Sequence, residues 1–273
     1  RSETDIGCVS CDTRLQIFIG AEKSRERDPK LEGKILAWRN ITQANVRESV
    51  VHTKRFFAPK VSSLNQPTRI LHLSDLHFDA GTDAQEILQP LIADLRDNSN
   101  GFSFRRLDYL VVSGDMTNHA SPEEFEKVRV FLSELIKAFE LSALRCILVP
   151  GNHDQSWDVE VYRWSPKHLV NSKDLKEGFY RDHDEGYLMR DDDRYPNRFS
   201  NFSKFLYHPL LQVPYPTRFE DQSISYFFEE DGIQFLTLNS SWETDLLFKN
   251  RSSAHMGSLA RGLAKASEQI RTA

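Results

Sequence analysis

The chain has 273 residues, of which 39% are hydrophobic, 11% aromatic and 27% charged. This size and composition allow one large α/β domain, or one domain with a substantial appendage. A net charge of −5 argues against general nucleic-acid binding by the chain as a whole, although a local basic patch is compatible with it. No apolar run approaches the length of a membrane span, and the N-terminus carries no signal-peptide pattern. We therefore expect no membrane partner.

Residues 1–66 form a basic leader that carries few structural signals. Basic side chains outnumber acidic ones by about two to one over residues 14–69, and Trp38, Phe56 and Phe57 are interleaved with them. Such a mixture is typical of surfaces that face nucleic acid or a phosphorylated partner. We favour the simpler interpretation, a solvated leader with a few residues docked on the main domain.

The chain contains three cysteines, which suits a protein of the reducing cytoplasm. Cys8 and Cys11 form a Cys-x-x-Cys pair, but no second pair supplies the remaining ligands of a zinc site. We interpret them as two reduced thiols. Cys146 lies in an apolar run and is predicted to behave as a small core side chain. Because the first residue is Arg1 rather than Met, we expect a piece of a longer protein with further domains.

Residues 67–273 alternate predicted strands with predicted helices. The strands are three apolar runs, residues 69–74, 107–113 and 145–149. The first helix has Asp83 as its N-cap, and the second has Ser121 as its N-cap followed by Pro122. The first helix repeats apolar residues at helical spacing: Ile87, Leu88, Leu91, Ile92 and Leu95. This alternation predicts a parallel sheet with right-handed crossovers.

The second half of the chain is predicted to add a loop, a hairpin and a last helix. Residues 155–200 are long and polar, and we expect a loop there that shapes access of substrate. Asp231-Gly232 between two apolar runs predicts a tight β-hairpin. The last helix is predicted near residues 258–270, with a buried face made of Leu259, Leu263 and Ala266.

Each of the three predicted strands is followed by side chains that bind metals. Asp75 and His77 follow the first strand, Asp115 the second, and Asn152 and His153 the third. The carboxyl ends of parallel strands lie along one edge of a sheet, where ligands collect. We expect Asp75 and His77 to point the same way, since they lie two residues apart in an extended segment. Mixed carboxylate, imidazole and amide ligands suit Mn²⁺, Fe²⁺ or Zn²⁺ rather than Ca²⁺.

The same residues suggest a chemistry. The two oxygens of Asp115 can bridge two ions, and Asn152 can bind a cation without adding charge. Two adjacent ions activate water and neutralise the oxygens of a phosphate under in-line attack. His153, just outside the metal pair, would then donate a proton to the leaving alkoxide. The strand ends therefore predict a dinuclear site for phosphoester hydrolysis.

The chain resembles the calcineurin-like metallophosphoesterases in three motif blocks: Asp75-x-His77, Gly114-Asp115 and Gly151-Asn152-His153-Asp154. The resemblance covers most of residues 69–240, including Ser74 before the first block and Thr117-Asn118 after the second. It is closest to bacterial cytoplasmic members that form one module of a larger protein. The family fold implies a two-sheet α/β/β/α sandwich with a βαβαβ core.

The resemblance also implies a set of roles. Asp75 and His77 would bind the first of two divalent ions (Mn, Fe or Zn), and Asp115 would bridge both. Asn152 would bind the second ion, and His153 would be the catalytic acid. The implied activity is metal-dependent phosphoester hydrolysis, and we favour a phosphodiester such as a nucleotide or a nucleic acid as substrate. The 155–200 segment and the basic leader would accommodate it.

The chain departs from the family in its last histidines. Family members supply three more, one after a later strand and two in a Gly-His-x-His sequence, which does not occur in these 273 residues. His255 lies just before the last predicted helix, where a ligand is not expected. We therefore expect the chain to stop before the last strands of the domain, so that the fragment alone could be inactive. A truncated or degenerate domain that acts as a binding or regulatory module, and a nuclease that uses the leader, are the alternatives.

Overall fold

The computed structural model describes residues 68–100 and 103–272. Its first layer is a parallel sheet of three strands in the order β1-β2-β3. These strands are β1 (Ile70–Leu73), β2 (Tyr109–Ser113) and β3 (Cys146–Val149). The predicted parallel pairing is confirmed, with strands slightly shorter than the predicted runs. The predictions for the leader, for its Cys-x-x-Cys pair and for the boundary at residue 66 lie outside the described residues.

Two helices connect these strands, and their sequence signals act as predicted. α1 (Ala84–Arg96) begins after Asp83, whose carboxylate accepts a hydrogen bond from the Gln85 N–H at 2.8 Å. α2 (Pro122–Ala138) begins after Ser121, which forms a capping box with Glu124. Each side chain of the box accepts a hydrogen bond from the backbone N–H of the other, so the first turn of α2 is fixed locally.

The parallel sheet is covered on both faces. On one face, Leu110, Val112 and Leu148 lie in a buried cluster with residues of α1 and α2. On the other face, Val111 and Ile147 contact the second sheet. Cys146 is buried as predicted, and burial raises the pKa of its thiol to about 12. Ile87, one of the apolar residues at helical spacing, is 39% exposed, because the buried stripe of α1 runs through Ala84, Leu88 and Leu95.

The prediction of a long loop over residues 155–200 is wrong. This segment contains β4 (Tyr162–Pro166), β5 (Tyr180–Asp182) and β6 (Gly186–Arg190). They form an antiparallel sheet in the order β4-β6-β5, which we call the small sheet. A 3₁₀ turn over Tyr195–Phe199 and a π-helical turn over Phe202–Tyr207 follow. They lead into α3 (His208–Leu211).

The predicted hairpin and last helix complete the two-sheet fold. β7 (Ser225–Phe228) and β8 (Ile233–Leu236) pair antiparallel, and Gly232 in the turn has φ +64°. α4 (Met256–Thr272) packs on the outside of this hairpin, so the α/β/β/α order of layers is confirmed. Its buried face is made of Ser258, Gly262 and Ala266.

The predicted core contact of Leu263 in α4 is wrong, since this side chain is 43% exposed. A Cβ built on Gly262 would lie 2.8 Å from the side chain of Leu236 and 2.9 Å from that of Ser223. The helix therefore approaches the hairpin through its small residues, whereas Met256 and Leu263 are exposed. None of the helices in the described part of the chain is long and apolar enough to cross a membrane.

Candidate metal centre

Three of the predicted ligands meet at the carboxyl edge of the parallel sheet. One ligand atom each of Asp75, His77 and Asp115 lies within 4.8 Å of the other two. Within residues 68–100 and 103–272, no other group of three or more histidine, cysteine or acidic side chains is placed to share an ion. Two carboxylates and an imidazole in partly solvated positions form a suitable donor set for a divalent transition metal.

The backbone that presents these side chains is not extended, contrary to the prediction. Asp75, His77 and Asp115 have φ angles of +55°, +48° and +51°. The two strand ends are joined by backbone hydrogen bonds, from the Asp75 N–H to the Gly114 carbonyl at 3.2 Å and from the His77 N–H to the Asp115 carbonyl at 3.0 Å. Left-handed backbone at non-glycine residues costs about 1–3 kcal/mol each and concentrates at functional sites.

Glycines let the second and third strand ends approach each other closely. A Cβ on Gly151 would lie 2.2 Å from Oδ1 and 2.4 Å from the backbone nitrogen of Asp115. The backbone therefore passes directly over the predicted bridging ligand. Beyond the glycine, the His153 N–H donates a hydrogen bond to Oδ1 of Asp115 at 3.0 Å. The third motif block thus orients the carboxylate of the second.

Asn118 contacts both histidines of the site with different atoms. Its side-chain Oδ1 lies 3.1 Å from Nδ1 of His77, and its backbone carbonyl lies 2.9 Å from Nδ1 of His153. Both partners are acceptors, so we assign the proton of each ring to Nδ1. Nε2 of His77 is then free to bind a metal and Nε2 of His153 to exchange a proton. From the sequence alone, Asn118 is recognisable only as part of the resemblance.

Asp154 fixes the third motif block through hydrogen bonds with the backbone. It is fully buried and accepts hydrogen bonds from the N–H groups of Met116, Thr117 and Gly151 at 2.8–3.0 Å. Burial raises the pKa of Asp154 to about 6, against the lowering effect of these N–H groups, and the nearby carboxylate of Asp115 also raises it. Asp154 therefore fastens the turn with Asn152 and His153 to the end of β2.

The remaining candidates divide into two groups. Asn152 is half-buried and its amide has no hydrogen-bonding partner among the described residues, which leaves the oxygen available to a metal. His153 stacks edge-on against His77 with 4.8 Å between ring centres. The roles of both stay predictions.

His255 precedes α4, where its Nδ1 accepts the Ser258 N–H at 3.1 Å, so it serves as a helix cap and is not grouped with the three ligands.

A two-sheet α/β/β/α fold with carboxylates and histidines at one sheet edge defines a metal-binding α/β protein. The sequence matches the model of one family, calcineurin-like phosphoesterase, over residues 68–261. The chain belongs to that family. It is also similar to a Bacillus subtilis (strain 168) protein named "Uncharacterized metallophosphoesterase-like protein YydB", with 34% identity over 95 residues. This similarity covers 33% of the chain and 18% of that relative, so the chain matches under a fifth of the relative's length.

Proposed function

We propose that this chain carries the active site of a dinuclear metal-dependent phosphodiesterase. One observation carries the proposal: in a calcineurin-like phosphoesterase, Asp75, His77 and Asp115 offer ligand atoms within 4.8 Å of one another. Asp75 and His77 would hold the first ion, Asp115 both ions, and Asn152 the second. Bound ions of the Mn, Fe or Zn type supply Lewis-acid stabilisation of the phosphate and activation of water.

The protein's own residues orient and exchange protons. The Asn118 carbonyl holds the ring of His153 through Nδ1, which fixes the direction of Nε2. A His153 protonated at Nε2 would donate that proton to the leaving alkoxide, as a general acid. The hydrogen bond from its backbone N–H to Asp115 ties the position of the acid to that of the bridging ligand.

The proposal of a phosphodiester rests on the surroundings of the site. The small sheet comes after the third motif block in the chain, and we infer that it forms a wall beside the site. A diester carries a second ester arm, and such a wall offers that arm a surface. A nucleotide or a nucleic acid is the substrate class we favour, and further domains of a parent protein are the partners we expect.

The proposal is tested by Asp115→Asn with Mn²⁺, using an aryl phosphodiester and the matching aryl phosphomonoester. We expect hydrolysis of the diester by the unmodified protein and loss of that hydrolysis to background in the variant, since the amide cannot bridge two cations as a carboxylate does. Asp193→Asn, at an exposed carboxylate, is the matched control and should keep full activity.

The outcomes separate the candidate functions. Activity that survives in Asp115→Asn contradicts the assignment of the site, and preference for the monoester contradicts the diester class. A protein that binds Mn²⁺ but hydrolyses neither ester supports the binding or regulatory module. This alternative is favoured by the small number of candidate ligands, three, that the described residues bring together.

A further inference from the structure

Arg198 is a buried cation that contacts several segments of the chain at once. It is 2% exposed. Its Nε donates to the Tyr195 carbonyl at 2.9 Å, Nη1 to Oε1 of Gln155 at 2.8 Å, and Nη2 to the Trp242 carbonyl at 2.6 Å. Nη1 also donates to the Thr244 carbonyl. A buried charge is tolerated only where its donors find such partners, so the guanidinium requires all these segments in place.

Arg198 also holds the two residues that follow the third motif block. Gln155 and Ser156 directly follow Asp154, the last residue of the third motif block, which also contains Asn152 and His153. Arg198 holds Gln155 through its side chain, and its backbone carbonyl accepts the Ser156 N–H at 2.7 Å. The segment directly after the block is therefore held by both the side chain and the backbone of one residue.

The contact with Arg198 determines the orientation of the side-chain amide of Gln155. Its Nε2 is buried without a hydrogen-bonding partner among the described residues. A guanidinium only donates hydrogen bonds, so the amide oxygen of Gln155 must face Arg198. The amide nitrogen then points away from Arg198. An unpaired buried donor is unfavourable, and it persists here because the contact with Arg198 prevails.

The third motif block is thus held from two sides. Asp154 fastens it to the end of β2 through the N–H groups of Met116 and Thr117. Arg198 fastens it to the residues after β6, where Arg198 itself lies, and to the residues after β8, where Trp242 and Thr244 lie. Only the second fastening depends on parts of the chain outside the parallel sheet.

We propose that Arg198 is a positioning residue for Asn152 and His153. Through Gln155 and Ser156 it sets where the predicted ligand of the second ion and the predicted proton donor lie relative to Asp115. Residues that orient metal ligands in this way typically change metal affinity by about 10–100-fold when they are substituted. The inference rests on the proposed function, since it concerns the second ion of that site.

The variants that test this inference are Arg198→Lys and Gln155→Leu. Lysine keeps the charge but cannot reach Gln155 and the carbonyls of Trp242 and Thr244 together. Gln155→Leu removes one acceptor and leaves the other contacts of Arg198. The matched control is Arg190→Lys, because Arg190 also has a buried stem and lies over the Tyr195 ring at 4.3 Å, yet it pairs with Asp192 instead.

The first measurement is backbone hydrogen exchange of the metal-free protein. We expect residues 151–156 to exchange about tenfold faster in Arg198→Lys and Gln155→Leu, because the local opening that exposes this turn becomes easier. Exchange in β1 should be unchanged in both. Arg190→Lys should leave residues 151–156 unchanged. Unchanged exchange at residues 151–156 in both variants would overturn the proposal.

The second measurement is Mn²⁺ affinity, with Asn152→Ala used to identify the binding step that depends on Asn152. We expect Arg198→Lys and Gln155→Leu to weaken that step by about 10–100-fold and to leave the other step within about threefold.

Where hydrolysis is measurable, kcat should fall while KM stays constant. Equal weakening of both steps, or the same effect in Arg190→Lys, would make Arg198 a purely structural residue and overturn the inference. A wild-type chain that binds no Mn²⁺ contradicts the proposed function, and the exchange measurement then decides on Arg198 alone.

Discussion

At the residue scale, the contacts of Asn118 separate the two histidines of the site experimentally. Its side chain reaches His77, whereas its backbone carbonyl reaches His153. Asn118→Ala removes the first contact and keeps the second. We therefore expect Mn²⁺ affinity to fall by about tenfold, because the ring of His77 loses the partner that orients it.

The pH dependence of hydrolysis distinguishes this effect from a loss of His153. The limb of the pH–rate profile that reports the general acid should keep its position in Asn118→Ala, since the carbonyl that holds His153 remains. Asn197→Ala, at an exposed asparagine, is the control for the substitution itself. An unchanged Mn²⁺ affinity in Asn118→Ala would contradict the orienting role of this side chain.

Gly151 provides a second prediction at this scale. A methyl group there would lie 2.2 Å from Oδ1 and 2.4 Å from the backbone nitrogen of Asp115, and backbone atoms cannot move aside without disturbing β2. We expect Gly151→Ala to lower the free energy of unfolding by about 2–3 kcal/mol, as overpacking does.

Gly232→Ala is the matched comparison for Gly151→Ala. Gly232 has φ +64° but nothing within 4 Å of an added Cβ, so it reports backbone strain without a clash. Its cost should be about 1 kcal/mol. Urea unfolding of both variants measures the difference, and a Gly151→Ala that is no less stable than Gly232→Ala would contradict the close approach of the two strand ends.

At the scale of elements, the turn of the second hairpin is fastened to the parallel sheet by an acid. Asp231 accepts hydrogen bonds from the hydroxyl of Tyr109 in β2 and from Arg145 just before β3. Partial burial alone would raise the pKa of Asp231, but the hydrogen bonds from Tyr109 and Arg145 lower it below its usual value. The two sheets are therefore joined at this end by a charged carboxylate.

The hydrogen bonds that Asp231 accepts from Tyr109 and Arg145 predict that the free energy of unfolding depends on pH. A folded-state pKa below the unfolded value means that the contribution is present above the unfolded pKa, near 4, and is lost as the pH falls through the folded pKa. We expect Asp231→Asn to cost about 1 kcal/mol at pH 7, a modest value because the pair is partly solvated. The cost should be smaller at about pH 3, which lies below the unfolded pKa, than at pH 7. Urea unfolding at both pH values checks this, and a cost independent of pH would rule out the charge as its source.

Elements with local signals could be predicted from the sequence, and elements without them could not. The caps at Asp83 and Ser121 and the Asp231-Gly232 turn are written in a few adjacent residues, so these predictions are confirmed. The small sheet was missed because its strands are only three to five residues long and show no clear alternation of buried and exposed side chains. Ligands at strand ends follow from the parallel order of the sheet, whereas left-handed backbone at Asp75 and His77 does not follow from any local pattern.

Contacts between distant residues explain what else was missed at the site. Gln155 and Arg198 are separated by 43 positions, and nothing in either residue's neighbourhood indicates the other. Asn118 is three residues after Asp115, a spacing that could have indicated a partner for a histidine. Its double contact depends on the turn after β3 folding back over β2, and this is a property of the tertiary structure.

At the scale of the whole molecule, the candidate metal centre lies where all three parallel strands end. Asp75 and His77 follow β1, Asp115 follows β2, and Asn152 follows β3. An ion bound there would tie together strand ends that separate on unfolding. Asp154 and Asn118 orient the strand ends through hydrogen bonds within the protein, so we expect that the fold itself does not depend on the ion.

Metal binding should therefore raise stability without creating the fold. An ion that binds only the native state stabilises it by about 2.7 kcal/mol at a concentration of 100 times Kd. We expect the Tm to rise continuously with Mn²⁺ concentration, and chelation to return it to the metal-free value with the circular dichroism spectrum unchanged. Asp115→Asn should remove most of the rise, because this carboxylate is the ligand expected to contact both ions. A Tm independent of Mn²⁺ would contradict a metal site at this edge. Loss of the spectrum on chelation would instead show that the ion is needed to hold the strand ends together.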